Sequence, residues 1–166
     1  MENSIPVSVY ENLIAAVHEA LPAMYKYVGL RKKVLGVEEL HMYDVYAPMT
    51  KDVDKKIPYE QAKEMVLEGL APMGSDYISR LKEGFENRWI DVYENKGKRS
   101  GAYSWGAYGT HPYVLLNYQD TFNDVFTLAH EMGHSLHTYY SEKTQPYIYS
   151  GYSIFVAEVA STCNES

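Results

Sequence analysis

Two histidines and a glutamate in one five-residue stretch constrain this chain more than any other feature. His130 and His134 are four residues apart, and Glu131 directly follows the first of them. Residues at this spacing share one face of an α-helix, so both imidazoles can reach one metal ion. Glu131 projects about 100° around the axis from His130, toward the side where a metal-activated water would lie. The pattern predicts two zinc ligands and a general base for hydrolysis, most often of a peptide bond. The alternative is an amphipathic helix with exposed histidines.

The residues around this motif favour a helix of sufficient length. Thr121 and Asp124 have the spacing of a capping box, with Asp in place of the usual Glu. Apolar residues then recur at helical intervals, and no proline follows before Pro146. We therefore predict a helix over about residues 123–140. Gly133 costs this helix about 1 kcal/mol relative to alanine. It either lets another segment approach the motif closely or is a tolerated mid-helix glycine.

A catalytic zinc site needs a third protein ligand and an open position. His137 lies about 10.5 Å of helical rise from His130, too far for one tetrahedral ion, so packing explains it best. Glu158 is the downstream candidate, since it lies in an apolar stretch where a carboxylate requires a cation. The alternative places Glu158 on a solvent-exposed helix face. Thr162 and Glu165 share that face and are candidates to support the ligands, although surface exposure is the preferred interpretation for Glu165.

Two segments of the chain carry a family resemblance. They read Leu-Ala-His-Glu-Met-Gly-His-Ser-Leu-His at residues 128–137 and Phe-Val-Ala-Glu-Val-Ala-Ser-Thr at residues 155–162. With these segments the chain closely resembles oligoendopeptidase F, a branch of the thimet-oligopeptidase-like zinc peptidases. Further similar stretches occur at residues 5–10, 30–35, 39–44 and 100–106. The resemblance implies an oligopeptide substrate, one zinc ion held by His130, His134 and Glu158, and Glu131 as the general base.

The resemblance also implies that the chain is a piece of a larger enzyme. Family members are several times longer, and their oxyanion-stabilising histidine and tyrosines follow the position where this sequence stops. We predict a zincin-like catalytic-core fragment, mainly α with a small β-sheet, in which the motif helix precedes a helix carrying the Glu ligand. The predicted regions are a helical part at 1–88, a small β region at about 89–118, and metal-site helices at about 123–140 and 153–165. Without the missing remainder we expect weak activity or none, because losing one oxyanion donor typically lowers turnover about 10²–10³-fold.

Two alternatives to this hydrolase remain open. The chain could be a non-catalytic zinc-binding helical module that works only with a partner segment, its site closed by a fourth protein ligand. The sequence offers no convincing fourth ligand near the motif, which favours an open, catalytic site. A hydrolase acting on a non-peptide amide is the other alternative.

The amino-acid composition argues against several classes of binding partner. A net charge of −7 argues against nucleic acid and against an anionic membrane surface. No apolar run approaches the roughly 18 residues that a membrane span requires. The single Cys163 excludes an internal disulfide and suits a reducing compartment, so we expect a cytoplasmic location.

Tyrosine is unusually frequent, with 17 residues, and Gly-Ala-Tyr occurs twice within residues 101–109. Glycines that alternate with aromatic residues predict a loop that turns tightly and presents its rings. Tyr103 and Tyr108 are therefore candidates to line a peptide-binding cleft, the alternative being an aromatic loop packed on the core. Strands are predicted at 89–94 and 112–118, and we expect the second to pair with an extended substrate along its edge. A helix over 10–21 is predicted to end or kink near Pro22, and residues 23–35 are predicted to continue helically.

Overall fold

The computed structural model describes residues 4–50 and 55–166. The chain divides into two compact units, with the boundary between residues 54 and 55. Each unit is described by itself below. A single functional core over 1–166 stays a prediction.

The N-terminal unit consists of a long helix, α1 (Val7–Leu35), and a short 3-10 helix (Met42–Tyr46). Helix α1 continues through Pro22, so the predicted helical continuation over residues 23–35 is confirmed and the alternative that the helix ends at Pro22 is wrong. A proline removes only one backbone donor, and the remaining bonds of this 29-residue helix are sufficient to keep it continuous. Arg31 is buried and donates hydrogen bonds to the backbone carbonyls of Asp44 and Ala47. These bonds hold the 3-10 segment against α1.

Besides two 3-10 helices (Ala71–Met73 and Tyr147–Tyr149), the described part of the C-terminal unit contains four α-helices and three short strands. In chain order they are α2 (Tyr59–Gly69), α3 (Ser75–Glu86), β1 (Ile90–Asp91), β2 (Tyr103–Trp105), β3 (Tyr113–Leu115), α4 (Phe122–Thr144) and α5 (Ile154–Glu165). The predicted class, mainly α with a small sheet, is confirmed. Within the residues that the structure describes, no helix combines the length and apolar character that crossing a membrane requires.

The sheet has the order β1-β3-β2, with β3 in the centre. Strand β3 runs parallel to β1 and antiparallel to β2, with Ser104 opposite Val114. Both edges of β3 are therefore occupied, and the prediction that it pairs with substrate is wrong. The cause is the glycine-tyrosine stretch, predicted as a loop, part of which forms β2. Gly101 and Gly109, with φ of +88° and +83°, provide the turns on either side of that strand.

Helix α4 contributes to the hydrophobic core and also carries the His-Glu-x-x-His motif at residues 130–134. Its N-terminus has the predicted capping box, in which the Thr121 side chain accepts a hydrogen bond from the Asp124 N–H and the Asp124 carboxylate accepts from the Thr121 N–H. Leu128, Met132 and Leu136 recur every four residues and are fully buried. Burial of each such side chain contributes roughly 1.5–3 kcal/mol. This apolar face fixes the rotation of α4 and thereby the direction in which residues 130, 131 and 134 point.

Candidate metal centre

Helices α4 and α5 bring three potential metal ligands together. The Oε2 atom of Glu158 lies 3.4 Å from Nε2 of His130 and 3.3 Å from Nε2 of His134. Zinc bonds of 2.0–2.1 Å in tetrahedral geometry place ligand atoms about 3.3–3.4 Å apart. The three donors therefore fit a zinc ion. Among the described residues no fourth His, Cys, Asp or Glu joins this group.

The close approach of α5 to α4 depends on Gly133. A Cβ atom built at this position would lie 2.7 Å from the backbone oxygen of Ala160 and 2.8 Å from Cα of Ser161. Contacts this short with backbone atoms cannot be relieved by a rotamer change. Of the two interpretations of Gly133, the structure therefore supports the one in which it admits another segment. That segment carries Glu158 to the histidines.

Replacing Gly133 with alanine is expected to lower the free energy of unfolding by roughly 1–3 kcal/mol, the usual cost of overpacking. The better helix propensity of alanine, worth about 1 kcal/mol, offsets part of that loss. Urea unfolding followed by circular dichroism measures it. Gly29→Ala in α1 is the control, because a Cβ there meets nothing within 4 Å. Zinc affinity should fall in Gly133→Ala only, and equal behaviour of the two variants would contradict the packing argument.

The environment of Glu158 differs from the expectation in one respect. Its side chain is 62% exposed, so the argument that an apolar stretch buries this carboxylate is wrong. The apolar neighbours on α5 are themselves exposed, among them Ile154, Phe155 and Val159. The carboxylate is instead oriented by the buried Ser161, whose Oγ donates a 2.7 Å hydrogen bond to Oε2. This bond is the largest cause of a lowered Glu158 pKa, and the two histidines add to it.

Ser161 was not among the predicted site residues, although its position three residues after Glu158 on one helix indicates contact. Thr162 was a candidate, but its hydroxyl bonds the backbone carbonyl of Glu158 rather than the carboxylate. A polar residue at either spacing can reach the ligand. Only the side-chain rotamers distinguish the two.

Glu131 is 6% exposed, and its Oε2 atom has no hydrogen-bond partner. Burial raises its pKa, the charge of Glu158 adds to the increase, and His130 opposes it. Strand β2 lies beside it: the Ser104 hydroxyl is 2.9 Å from that of Ser135, which in turn donates to the Glu131 carbonyl at 2.9 Å. The site thus holds a buried carboxylate of raised basicity next to the three potential ligands and next to the edge of the sheet.

Burial also lowers the pKa of His134, although the nearby Glu158 charge opposes the shift. A lowered pKa keeps the ring neutral, as metal ligation requires. His130, His134 and Glu158 thus form a group that could hold a metal ion, and two histidines with a glutamate are also the ligand set of several zinc peptidases.

Comparison with known proteins agrees with this geometry. The family model described as Peptidase family M3 matches residues 1–166. The chain belongs to Peptidase family M3. It is 60% identical over 164 residues to oligopeptidase PepF of Bacillus subtilis and 50% identical over 164 residues to an oligoendopeptidase F homolog of Lactococcus lactis. The predicted resemblance to oligoendopeptidase F is therefore confirmed.

These relatives are much longer than this M3 chain. The matches cover 99% of the chain but only 24% and 27% of the two relatives. A crystal structure from Chlamydophila abortus superimposes with a TM-score of 0.85 at 47% identity, covering 98% of this chain and 27% of that one. The chain thus spans about a quarter of the length of the M3 relatives it matches.

Three other predicted positions have distinct surroundings in this M3 chain. His137 stacks on Tyr152 with ring centroids 3.7 Å apart, which supports its assignment to packing. Tyr103 lies in β2 and is half exposed, whereas the Tyr108 hydroxyl donates to the Gln145 carbonyl at 3.1 Å. Tyr108 therefore fastens the loop after β2 to the end of α4. A substrate-binding role for either tyrosine stays a prediction.

Proposed function

We propose that this chain is the metal-binding catalytic core of a zinc metalloendopeptidase that hydrolyses oligopeptides. The observation that carries the proposal is the convergence of three ligand atoms within 4.8 Å of one another, with the buried carboxylate of Glu131 beside them, whose Oε2 atom has no hydrogen-bond partner. Membership of Peptidase family M3 and the names of its relatives, oligopeptidase and oligoendopeptidase, support the substrate class.

Each residue of the site has a separate role. His130, His134 and Glu158 hold one zinc ion, which when bound polarises the peptide carbonyl and acidifies a water molecule. Glu131 accepts the proton of the attacking water and returns it to the leaving amine. Its pKa is raised toward neutral pH, and a general base is most effective when its pKa lies near the pH at which it works. Ser161 keeps the Glu158 carboxylate turned toward the two rings.

The substrate backbone is best accommodated along β2. This strand ends the sheet on its side, since the order is β1-β3-β2 in the described residues. A strand with an open edge can accept an extended peptide through backbone hydrogen bonds, so recognition depends little on side chains. Ser104, in the middle of β2, lies next to the Glu131 side of α4. A peptide bound along the edge of β2 lies close to Glu131, the general base. Tyr103 lies beside the peptide.

Further segments are expected to complete the enzyme. Large apolar side chains of α5 and of the 3-10 helix before it are exposed, namely Tyr147, Ile148, Tyr149, Ile154, Phe155 and Val159. Such a patch is typical of an interaction surface. Since the relatives are about four times as long, we propose that their additional segments cover it and supply the oxyanion donors. The chain alone then has weak activity or none.

We also propose a cytoplasmic location, because a single free cysteine, Cys163, suits a reducing compartment.

The alternative, a zinc-binding module without catalysis, requires a fourth protein ligand. The three-residue group among the described residues favours the open site. X-ray absorption on the zinc-loaded chain distinguishes them, because three protein ligands indicate an enzyme site and four a scaffold.

Zinc analysis combined with a cleavage assay tests the proposal. The purified chain should bind one zinc ion and cleave an internally quenched peptide slowly or not at all. Adding the segment that follows the matched region in the Bacillus subtilis relative should raise turnover, and a chelator should abolish it. Absence of zinc binding contradicts the proposed function. Full turnover by the chain alone contradicts the requirement for a partner segment.

A further inference from the structure

One helix contacts both ring nitrogens of His130. Nε2 lies 3.4 Å from the Glu158 carboxylate, and Nδ1 lies 3.2 Å from Oε1 of Glu165. Residues seven apart return to nearly the same side of a helix, about 10.5 Å further along it. Helix α5 therefore reaches the ring from two successive positions on one face. The Glu165 side chain is exposed, at 39%, as the preferred interpretation predicted, and its carboxylate nevertheless contacts the His130 ring.

The end of α5 is held in place independently of this contact. Asn164 is 7% exposed and bridges two other helices. Its Nδ2 donates to the carbonyl of Ala129 at 2.9 Å, and its Oδ1 accepts from the Tyr77 hydroxyl at 2.7 Å. Ala129 directly precedes His130, so the carbonyl that holds Asn164 and the His130 ring come from adjacent residues of α4. The position of Glu165 relative to His130 is thus fixed by a buried hydrogen-bonded residue.

The contact determines which nitrogen can bind metal. A neutral imidazole carries its proton on one nitrogen and a lone pair on the other. A carboxylate at Nδ1 favours the proton there and leaves Nε2 as the ligand atom. It also fixes the ring plane, which is perpendicular to that of His134, at 84° with centroids 4.8 Å apart. Both Nε2 atoms consequently face the Glu158 oxygen.

We propose that Glu165 is a positioning residue that holds His130 in its Nδ1–H tautomer and so presents Nε2 to the metal. This inference rests on the proposed function and extends it beyond the three ligands. Loss of such a partner typically weakens metal affinity about 10–100-fold. The predicted loss of metal affinity results only from the changed orientation and tautomer of His130.

Chelator competition measures zinc affinity in three variants of the 166-residue chain. Glu165→Ala should bind zinc about 10–100-fold more weakly than the unmodified chain. Glu165→Gln keeps the shape and a neutral acceptor, so its loss should be smaller. Glu86→Gln is the matched control, because Glu86 is an exposed glutamate at the last position of α3, as Glu165 is at the last position of α5. It should bind zinc normally.

Proton NMR of the zinc-loaded chain reports directly on the His130 Nδ1–H, and a shift of this signal in an otherwise unchanged spectrum distinguishes a positioning role from a general loss of structure. The His130 Nδ1 proton should resonate far downfield in the unmodified chain, move upfield in Glu165→Gln, and exchange rapidly in Glu165→Ala. Unchanged zinc affinity in Glu165→Ala, or an unchanged proton signal in Glu165→Gln, overturns the assignment. Failure of the unmodified chain to bind zinc overturns the proposed function itself, which distinguishes the two failures.

Discussion

Replacing Glu131 with glutamine is expected to lower peptide hydrolysis about 10²–10⁴-fold while zinc remains bound, the usual range for loss of a general base. The amide has nearly the shape of the carboxylate but cannot accept the proton of water. Glu131 contributes no atom to the group of three ligands, so metal affinity should be nearly unchanged. Turnover is measured on the chain mixed with its complementing segment, and zinc content is measured on the same sample.

Glu142→Gln is the matched control for this variant, because it makes the same charge change about three turns further along α4. It should leave turnover unchanged. Release of zinc by Glu131→Gln would show that the glutamate is a ligand rather than the base. Equal losses in both variants would show that only the charge of the helix matters.

The same substitution has a consequence for stability that depends on pH. Burial raises the pKa of Glu131 above 4.5, so the folded chain binds this proton more tightly than the unfolded chain. Stability is therefore lost as pH rises from 4.5 through the folded-state pKa. Glutamine has no such loss. In the presence of chelator, Glu131→Gln should melt at a higher temperature than the unmodified chain at pH 7, and the difference should disappear near pH 4.

The local part of the site could be predicted from sequence because helical spacing determines it. A spacing of four residues places two histidines on one face, and a cap followed by periodic apolar residues predicts the helix that carries them. The capping box, the small sheet and the packing role of His137 follow from equally local patterns. The same holds for the family resemblance, which depends on short segments of characteristic residues.

The remainder depends on how distant segments pack. The apolar neighbours of Glu158 suggested a buried carboxylate, yet the pattern cannot say which segment covers α5. The glycines of the β2 region suggested a loop, because strand formation there depends on pairing with β3. That pairing leaves β3 without the free edge on which substrate was predicted to bind. Whether Glu165 points to solvent or to His130 depends on the anchor of Asn164 on α4. Side-chain direction at a helix end is not encoded in periodicity.

Two neighbouring histidines on α4 allow a sharp test of the metal site. His134→Ala should weaken zinc binding by more than the roughly 100-fold that loss of a supporting residue produces, because it removes a ligand atom. His137→Ala should bind zinc nearly as tightly as the unmodified chain. Its ring stacks on Tyr152 and lies outside the ligand group, so the variant should lose thermal stability instead.

The two variants therefore predict opposite pairs of results from the same two measurements, chelator competition and thermal melting. A shared loss of zinc would mean that α4 binds metal through its overall structure rather than through particular nitrogens. Retention of zinc by His134→Ala would exclude the three-ligand site, because Glu158 and His130 alone leave a divalent ion with two protein donors. The one-turn spacing of His134 and His137 makes the comparison direct, since both rings come from the same helix and differ in what they face.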